Sequence, residues 1–299
     1  KAKLNKGLIE IMALFFVMSV FFYFFLFNTT LLYDKIKKLT HLIVPLHEKQ
    51  LNKLLSQFKS WETTYPCNRK TDVSLYVLFS GEKNNNTTNV IINAFSHQKQ
   101  LNKCFRELIV EYADLKGIND THPNSANLIF ERMLKKQLPN FKNPSHVFWM
   151  EVDCFVIKSF WLEGIQKQVL APISTFWIKG SQYRGHNSII SNNTGLNYHI
   201  NANALYNIES DRFSNYFFKH IKPKMRSEIG FDAEVFISMF QNIRKHRKVF
   251  HLFKLCEFIQ NTYYIPENLT KFNLDFPYTY LIHIGSKVKS KAIKWSVFY

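Results

Sequence analysis

The 299-residue sequence is short of acidic residues, of cysteine and of glycine, and each shortage narrows the classes open to it. Asp and Glu number 22 against 39 Lys and Arg, which leaves a formal net charge of +17 and a pI near 9.6. A surplus of that size points to an anionic partner: nucleotide diphosphates, anionic headgroups or acidic glycans, with an ordinary solvated Lys-rich surface as the alternative. The four cysteines, Cys67, Cys104, Cys154 and Cys256, contain no C-x-x-C spacing, so no zinc site is indicated and one or two disulfides are allowed. Glycine occurs nine times. None of it forms G-x-G-x-x-G at the start of a helix, G-x-x-x-x-G-K-[ST] or G-x-S-x-G, which argues against a Rossmann dinucleotide fingerprint, a P-loop and an α/β-hydrolase elbow.

Apolar residues are plentiful, and they concentrate first between Leu8 and Phe27, where LIEIMALFFVMSVFFYFFLF holds Glu10 as its one strongly polar member. At about 1.5 Å per residue such a run spans the ~30 Å hydrocarbon layer as a helix. It is longer than a signal-peptide core, and Asn28-Thr29-Thr30-Leu31 offers no small-residue cleavage site, so an uncleaved anchor is expected. Lys1, Lys3 and Lys6 precede the run, while Lys35, Lys37 and Lys38 follow it. The short N-terminal side is the easier one to leave in the cytosol. The expectation is a cytosolic tail over 1–7, a transmembrane anchor over 8–27 and a lumenal domain, as in a single-pass type II protein of the Golgi or ER. N-x-S/T sequons at Asn28, Asn85, Asn86, Asn119, Asn192 and Asn268 agree with that side, and a lumenal domain would not meet nucleic acid.

Residues 28–68 read as a stem. Leu39, Leu42, Leu46, Leu51, Leu54, Leu55 and Phe58 recur at roughly helical spacing around Pro45, a stripe suited either to homodimer pairing or to packing on the neighbouring domain. Tyr65-Pro66-Cys67 marks the boundary, and 69–299 reads as one domain. There, strands expected over 73–79, 105–110 and from His146 alternate with helices over 90–102, 124–137 and about 159–170. That alternation predicts an α/β fold with a mostly parallel sheet flanked by helices, binding ligands beyond the carboxyl ends of its strands.

At one such end stands His146-Val147-Phe148-Trp149-Met150-Glu151-Val152-Asp153-Cys154. If the strand continues, Glu151 and Asp153 project from one side, where a divalent cation fits between them and a phosphate. The competing readings are a pair of solvated carboxylates, or the acid and base of a hydrolase. The latter needs its two carboxyls about 5 to 9.5 Å apart across a sugar.

The order of anchor, stem, Phe148–Cys154 and three later segments resembles type II Golgi glycosyltransferases of the GT-A fold. The segments are Phe176-Trp177-Ile178-Lys179-Gly180-Ser181 with Tyr183-Arg184-Gly185, then His199 to Tyr206, then Leu281 to Lys287. Within that group the chain is similar to nucleotide-diphospho-sugar transferase-like proteins with a W-M-E-P-D-C core, over roughly residues 70 to 290. Glu151 stands where the usual D-x-D triplet has its first Asp, and Val152 where the group often has Pro.

The resemblance implies a Rossmann-like mixed sheet, a nucleotide-sugar donor, most readily UDP-linked, and a glycan or glycoprotein acceptor. It implies a Mn²⁺ (or Mg²⁺) site in which Asp153 is the main ligand, Glu151 contacts ribose, metal or metal-bound water, and His283 completes the set. Lys179, Gly180, Ser181, Arg184 and Lys287 are expected along donor or acceptor. His199, Asn201 and Asn203 would face sugar hydroxyls if extended, with Trp177 or Tyr206 stacking on a sugar face. Asp232 and Glu234 open an apolar helix and are the candidates for a catalytic carboxylate, capping and dipole roles being the alternatives. A catalytically inactive, membrane-anchored relative that only binds is the second functional expectation.

Overall fold

The computed structural model describes residues 15–21, 38–170, 175–183, 199–262, 266 and 268–284. It divides into two units, 1–38 and 39–299. In the first, residues 15–21 are helical and exposed, and no described helix is long and apolar enough to cross a membrane. The rest of the anchor expected over 8–27 lies outside the described residues.

The second unit is built on a seven-stranded sheet of β1 (Leu39–Leu46), β2 (Ser74–Phe79), β3 (Leu108–Tyr112), β4 (His146–Trp149), β6 (Ile178–Gln182), β7 (Ile200–Asn207) and β8 (Phe253–Leu255), in the order β3-β2-β1-β4-β7-β6-β8. Strands β3, β2, β1 and β4 run parallel, and β7 is antiparallel to both of its neighbours. A second sheet holds β5 (Cys154–Val156), β9 (Ile259–Thr262) and β10 (Leu281–Ile284) in the order β5-β10-β9. The helices that matter below are α1 (Leu51–Thr63), α2 (Asn85–Ser96), α3 (Lys99–Cys104), α4 (Asn124–Leu134), α5 (Trp161–Leu170), α6 (Asp211–Tyr216), α7 (Phe231–Gln241), α8 (Ile243–His246) and α9 (Leu269–Asp275).

The stem is where sequence and structure part. Residues 39–46 are a central strand, not part of a helix, because the run is apolar on both faces. Leu42, Val44 and Leu46 enter one core while Ile43 enters the other. A helix would expose much of this run, whereas the strand buries it, at about 1.5–3 kcal/mol per large aliphatic side chain. Pro45 is tolerated for a topological reason. Ile43 turns its carbonyl toward β4, where it accepts from Met150 N–H at 2.8 Å, so Pro45, two residues on, aims its missing N–H the same way. By then β4 has ended, at Trp149 opposite Ile43, and there is no strand left to pair with. Helix α1 buries Leu54, Phe58 and Trp61 in the core of its own domain, the packing alternative that the stripe allowed.

Other departures are smaller. The helix expected over 90–102 is two helices, α2 and α3, and the strand expected at 105–110 begins at Leu108. Cys67 and Cys104 form a disulfide that ties the segment after α1 to the end of α3.

Candidate active site

Strand β4 stops at Trp149, and Glu151 to Cys154 form a turn closed by Cys154 N–H donating to Glu151 C=O at 3.0 Å. The carboxylates are therefore brought together by a turn and not by strand alternation. Val152, between them, is buried and anchors the turn while both acids reach outward. Below it, Gln57 of α1 donates from one amide nitrogen to Val152 C=O at 2.9 Å and to Cys154 C=O at 2.7 Å. Two buried carbonyls that no strand can pair are satisfied by one side chain.

From the other side, Asn203 of β7 accepts Glu151 N–H at 2.7 Å and donates to Glu151 Oε2 at 2.8 Å. It also donates to Asn201 Oδ1 at 2.8 Å, so the two asparagines expected on one strand face form a fixed pair behind Glu151.

The third group comes from β10, whose residue His283 lies opposite Cys154 on one side and Asn261 of β9 on the other. Asn261 commits its amide N–H groups to the carbonyls of Ser181 and Gln182, at 3.2 and 3.0 Å. Its Oδ1 is thereby turned to His283 Nδ1 at 2.9 Å. That fixes the neutral imidazole with its proton on Nδ1 and its Nε2 lone pair facing the acids, 3.4 Å from Asp153 Oδ1 and 3.6 Å from Glu151 Oε2. One ligand atom from each of Glu151, Asp153 and His283 lies within 4.8 Å of the others. With both carboxyls ionised and the imidazole neutral, these are three electron-pair donors that could hold a divalent cation.

The electrostatics agree. The Glu151 carboxyl is raised to about 7: burial contributes most, the charge of Asp153 adds to it, and His283 and the Asn203 hydrogen bond act the other way. Two carboxylates that resist being charged together are what a cation relieves.

Asp232, in the first turn of α7, is close enough to Glu151 to add to this repulsion. It accepts from Ala202 N–H at 3.0 Å and lies 3.6 Å from His199 Nε2. Burial alone would raise Asp232, but the His199 imidazole and the N–H groups of Ala233 and Ala202 outweigh it and hold the carboxyl below its usual range. Tyr183 stacks on His199 with ring centroids 4.8 Å apart. His47, Trp149, Glu151, Asp153, Tyr183 and His283 line a cleft of about 740 Å³ beyond the carboxyl ends of β1 and β4, within the size range of small-molecule sites.

Several expected site residues sit elsewhere. Glu234 is buried on α7 with Oε1 accepting from Arg226 Nε at 2.6 Å, so it serves an ion pair and not the cleft. Lys179 turns back to donate to Gln168 C=O at the end of α5. Gly180 is needed for strand packing, since a Cβ there would lie 2.6 Å from Ile200 Cγ2 and 2.7 Å from Ala204 Cβ. Ser181 is buried and contributes its backbone carbonyl, to Asn261. Trp177 stacks on Phe213 in the core, and Tyr206 is buried with its hydroxyl on Ala202 C=O. Neither ring is available to a sugar. Arg184 and Lys287 lie outside the described residues.

Gln57 and Asn261 support the site without a signal in the sequence. Gln57 fell within the supposed stem. Asn261 shows its purpose only when β9 and β10 pair.

No protein-family model matches the chain, and no curated protein matches it by sequence. Solved structures do match by fold. The galactosyltransferase LgtC, solved with donor and acceptor sugar analogues, superposes with a TM-score of 0.52 at 12% identity over 87% of this chain and 94% of its own. The bifunctional glycosyltransferase WbbM in its apo form gives 0.53 at 10% identity over 84% of this chain and 46% of its own. The chain therefore has the mixed α/β, GT-A-like fold of these glycosyltransferases.

Proposed function

We propose that the protein is a metal-dependent glycosyltransferase that moves a sugar from a nucleotide-diphosphate donor, most readily a UDP-sugar, to a glycan or glycoprotein acceptor. The observation that carries this reading is the convergence of Glu151, Asp153 and the Nε2 lone pair of His283 at the mouth of a cleft of about 740 Å³. A cation held by these residues supplies charge neutralisation to a diphosphate leaving group. Glu151 substitutes for the first Asp of the usual triplet with an extra methylene, and the turn closed by Cys154 with the grip of Asn203 brings its oxygen back to the other two ligands.

The chain's own residues then divide the work. Asn203 and Gln57 hold the turn, and Asn261 holds the imidazole tautomer. Asp232, kept ionised and paired with His199, is the carboxylate best situated to act on the acceptor hydroxyl or on charge developing at the sugar. The oxidising compartment that the Cys67–Cys104 disulfide favours agrees with a lumenal domain behind a single N-terminal span in the Golgi or ER.

The test is to incubate the purified protein with a panel of nucleotide sugars and Mn²⁺ and to measure release of UDP or GDP. Turnover that falls at least a hundredfold in Asp153→Ala is the expected result. Neither turnover nor donor binding anywhere in the panel would overturn the reading, and turnover unaffected by Asp153→Ala would remove the site from it.

A further inference from the structure

The basic surplus of the chain has a focus away from the cleft. After α6 the chain enters a π-helical turn, Phe217–Ile221, a rare geometry that recurs at functional sites. This turn carries Lys219 and His220, and a short 3₁₀ turn, Lys222–Lys224, follows it. Across from them, α8 presents Lys245 and His246. The two segments are joined by a hydrogen bond between Tyr216 hydroxyl and His246 Nδ1 at 2.5 Å. Ring centroids of Tyr216 and His220 lie 5.2 Å apart, and those of His220 and His246 lie 6.1 Å apart.

Three features of this cluster point to an anion. First, no ion pair to Lys219, Lys224 or Lys245 is formed among the described residues, and carboxylates on or beside these segments are engaged by other cations: Asp211 by Lys136, Glu131 by Lys222 and Glu234 by Arg226. Lys219, Lys224 and Lys245 are exposed. Second, the cations converge. Burial, then Lys245, Lys219 and Lys224, push the His220 imidazole below its ordinary value, and burial, His220, Lys245 and Lys224 do the same to His246. Third, His246 is 2% exposed and its Nε2 has no hydrogen-bond partner among the described residues. Burial raises the Tyr216 phenol to about 12, so its hydroxyl stays protonated and shares a hydrogen bond with Nδ1. Once the ring is protonated, Nε2 carries a proton that lacks an acceptor among the described residues.

We infer that Lys219, His220, Lys224, Lys245 and His246 form a binding site for a tetrahedral phosphoryl dianion, separate from the transfer cleft. Asp232 stands in the first turn of α7 and α8 begins after its last, a separation of about 15 Å along an 11-residue helix. A dianion there accepts from the exposed ammonium groups and from His220, and its charge favours protonation of both imidazoles. Either inorganic phosphate or a phosphorylated lipid headgroup has this chemistry. Ile243, 52% exposed beside Lys245, gives a headgroup an apolar neighbour that free phosphate would not use.

The experiment is an NMR titration of the histidine Cε1–H resonances in the full chain without divalent cations, with inorganic phosphate as the probe. A saturable shift of His220 and His246 in the millimolar range is expected. The same titration in Lys224→Gln/Lys245→Gln should show affinity at least about tenfold weaker with an unchanged Tm, the loss of one or two charge-assisted hydrogen bonds. In Asp153→Asn it should be as in the parent chain, which separates this site from the metal cluster whatever becomes of the transferase reading. No saturable shift, or equal affinity in the double variant, overturns the inference. Co-sedimentation with vesicles of phosphatidylcholine, with and without phosphatidic acid, then identifies the source. A gain with phosphatidic acid that free phosphate competes away and the double variant lacks assigns a headgroup, and saturable phosphate binding without that gain assigns a soluble phosphoryl group.

Discussion

Asn261 Oδ1 accepts the Nδ1 proton of His283 at 2.9 Å, and through that bond it decides what the other ring nitrogen can do. The amide cannot turn over without breaking two hydrogen bonds to the carbonyls of Ser181 and Gln182. Partners of this kind typically change metal affinity ten- to a hundredfold when removed. Asn261→Leu should weaken Mn²⁺ binding by about that range, read by calorimetry or by the loss of the free-ion EPR signal. Affinity equal to the parent would show that the imidazole finds its tautomer unaided.

Gln57 makes a second prediction, because one nitrogen there satisfies two buried carbonyls on the turn between Glu151 and Cys154. Gln57→Met fills the same volume and removes both donors. Each orphaned carbonyl costs about 1–3 kcal/mol, so Tm should fall by several degrees. If Gln57 only stabilises the fold, Mn²⁺ affinity will be unchanged once the variant is folded. Because the turn carries two of the three ligands, affinity is expected to fall as well, by about tenfold or more.

The pH dependence follows from Glu151. Its folded-state value, about 7, lies above the ordinary 4.5. The folded protein therefore holds this proton more tightly than the unfolded chain does. Without metal, that contribution to stability is present below about pH 4.5 and is lost as the pH rises through 7. Tm of the metal-free protein should thus decline between pH 5 and 8 on account of this group, and Glu151→Gln should flatten the decline. Mn²⁺ binding should run the other way, strengthening as the carboxyl ionises, with its midpoint near pH 7. A metal-binding curve flat from pH 6 to 8 would mean that Glu151 is not a ligand.

How much of this was legible in advance depends on how local the signal was. The strand at Val73 to Phe79 and the helix opening at Asn124 show in neighbouring residues and appear in the structure within a position or so, whereas the two carboxylates after Trp149 read as the continuation of a strand and stand on a turn. The first strand resembles a helix in sequence because Leu39, Leu42 and Leu46 match a helical repeat, while Ile43 and Val44 between them are just as apolar. Only a run buried on both faces explains that, and burial is a property of the finished sheet. Likewise Trp177 and Tyr206 looked like sugar platforms because aromatic rings serve both surfaces and cores. The pairing of β9 with β10, which brings Asn261 to His283, joins residues 22 apart in the chain and left no local trace.

Asp232 and Glu234 are two residues apart on α7, so they point to nearly opposite sides of the helix, and their substitutions should separate cleanly. Glu234 is buried with Arg226 as its partner, and Arg226→Met would leave that carboxylate without compensation. Because Arg226 is itself 41% exposed, water softens the penalty. A fall in Tm with kcat/KM largely retained is the expected result. Asp232→Asn keeps size and the bond from Ala202 N–H but removes the charge opposite His199. It should leave Mn²⁺ affinity within a few-fold of the parent and lower kcat by at least about a hundredfold, the scale of a lost acid–base or charge-stabilising group. Were Arg226→Met to abolish turnover in protein that remains folded while Asp232→Asn did not, the catalytic side of α7 would have to be reassigned to Glu234.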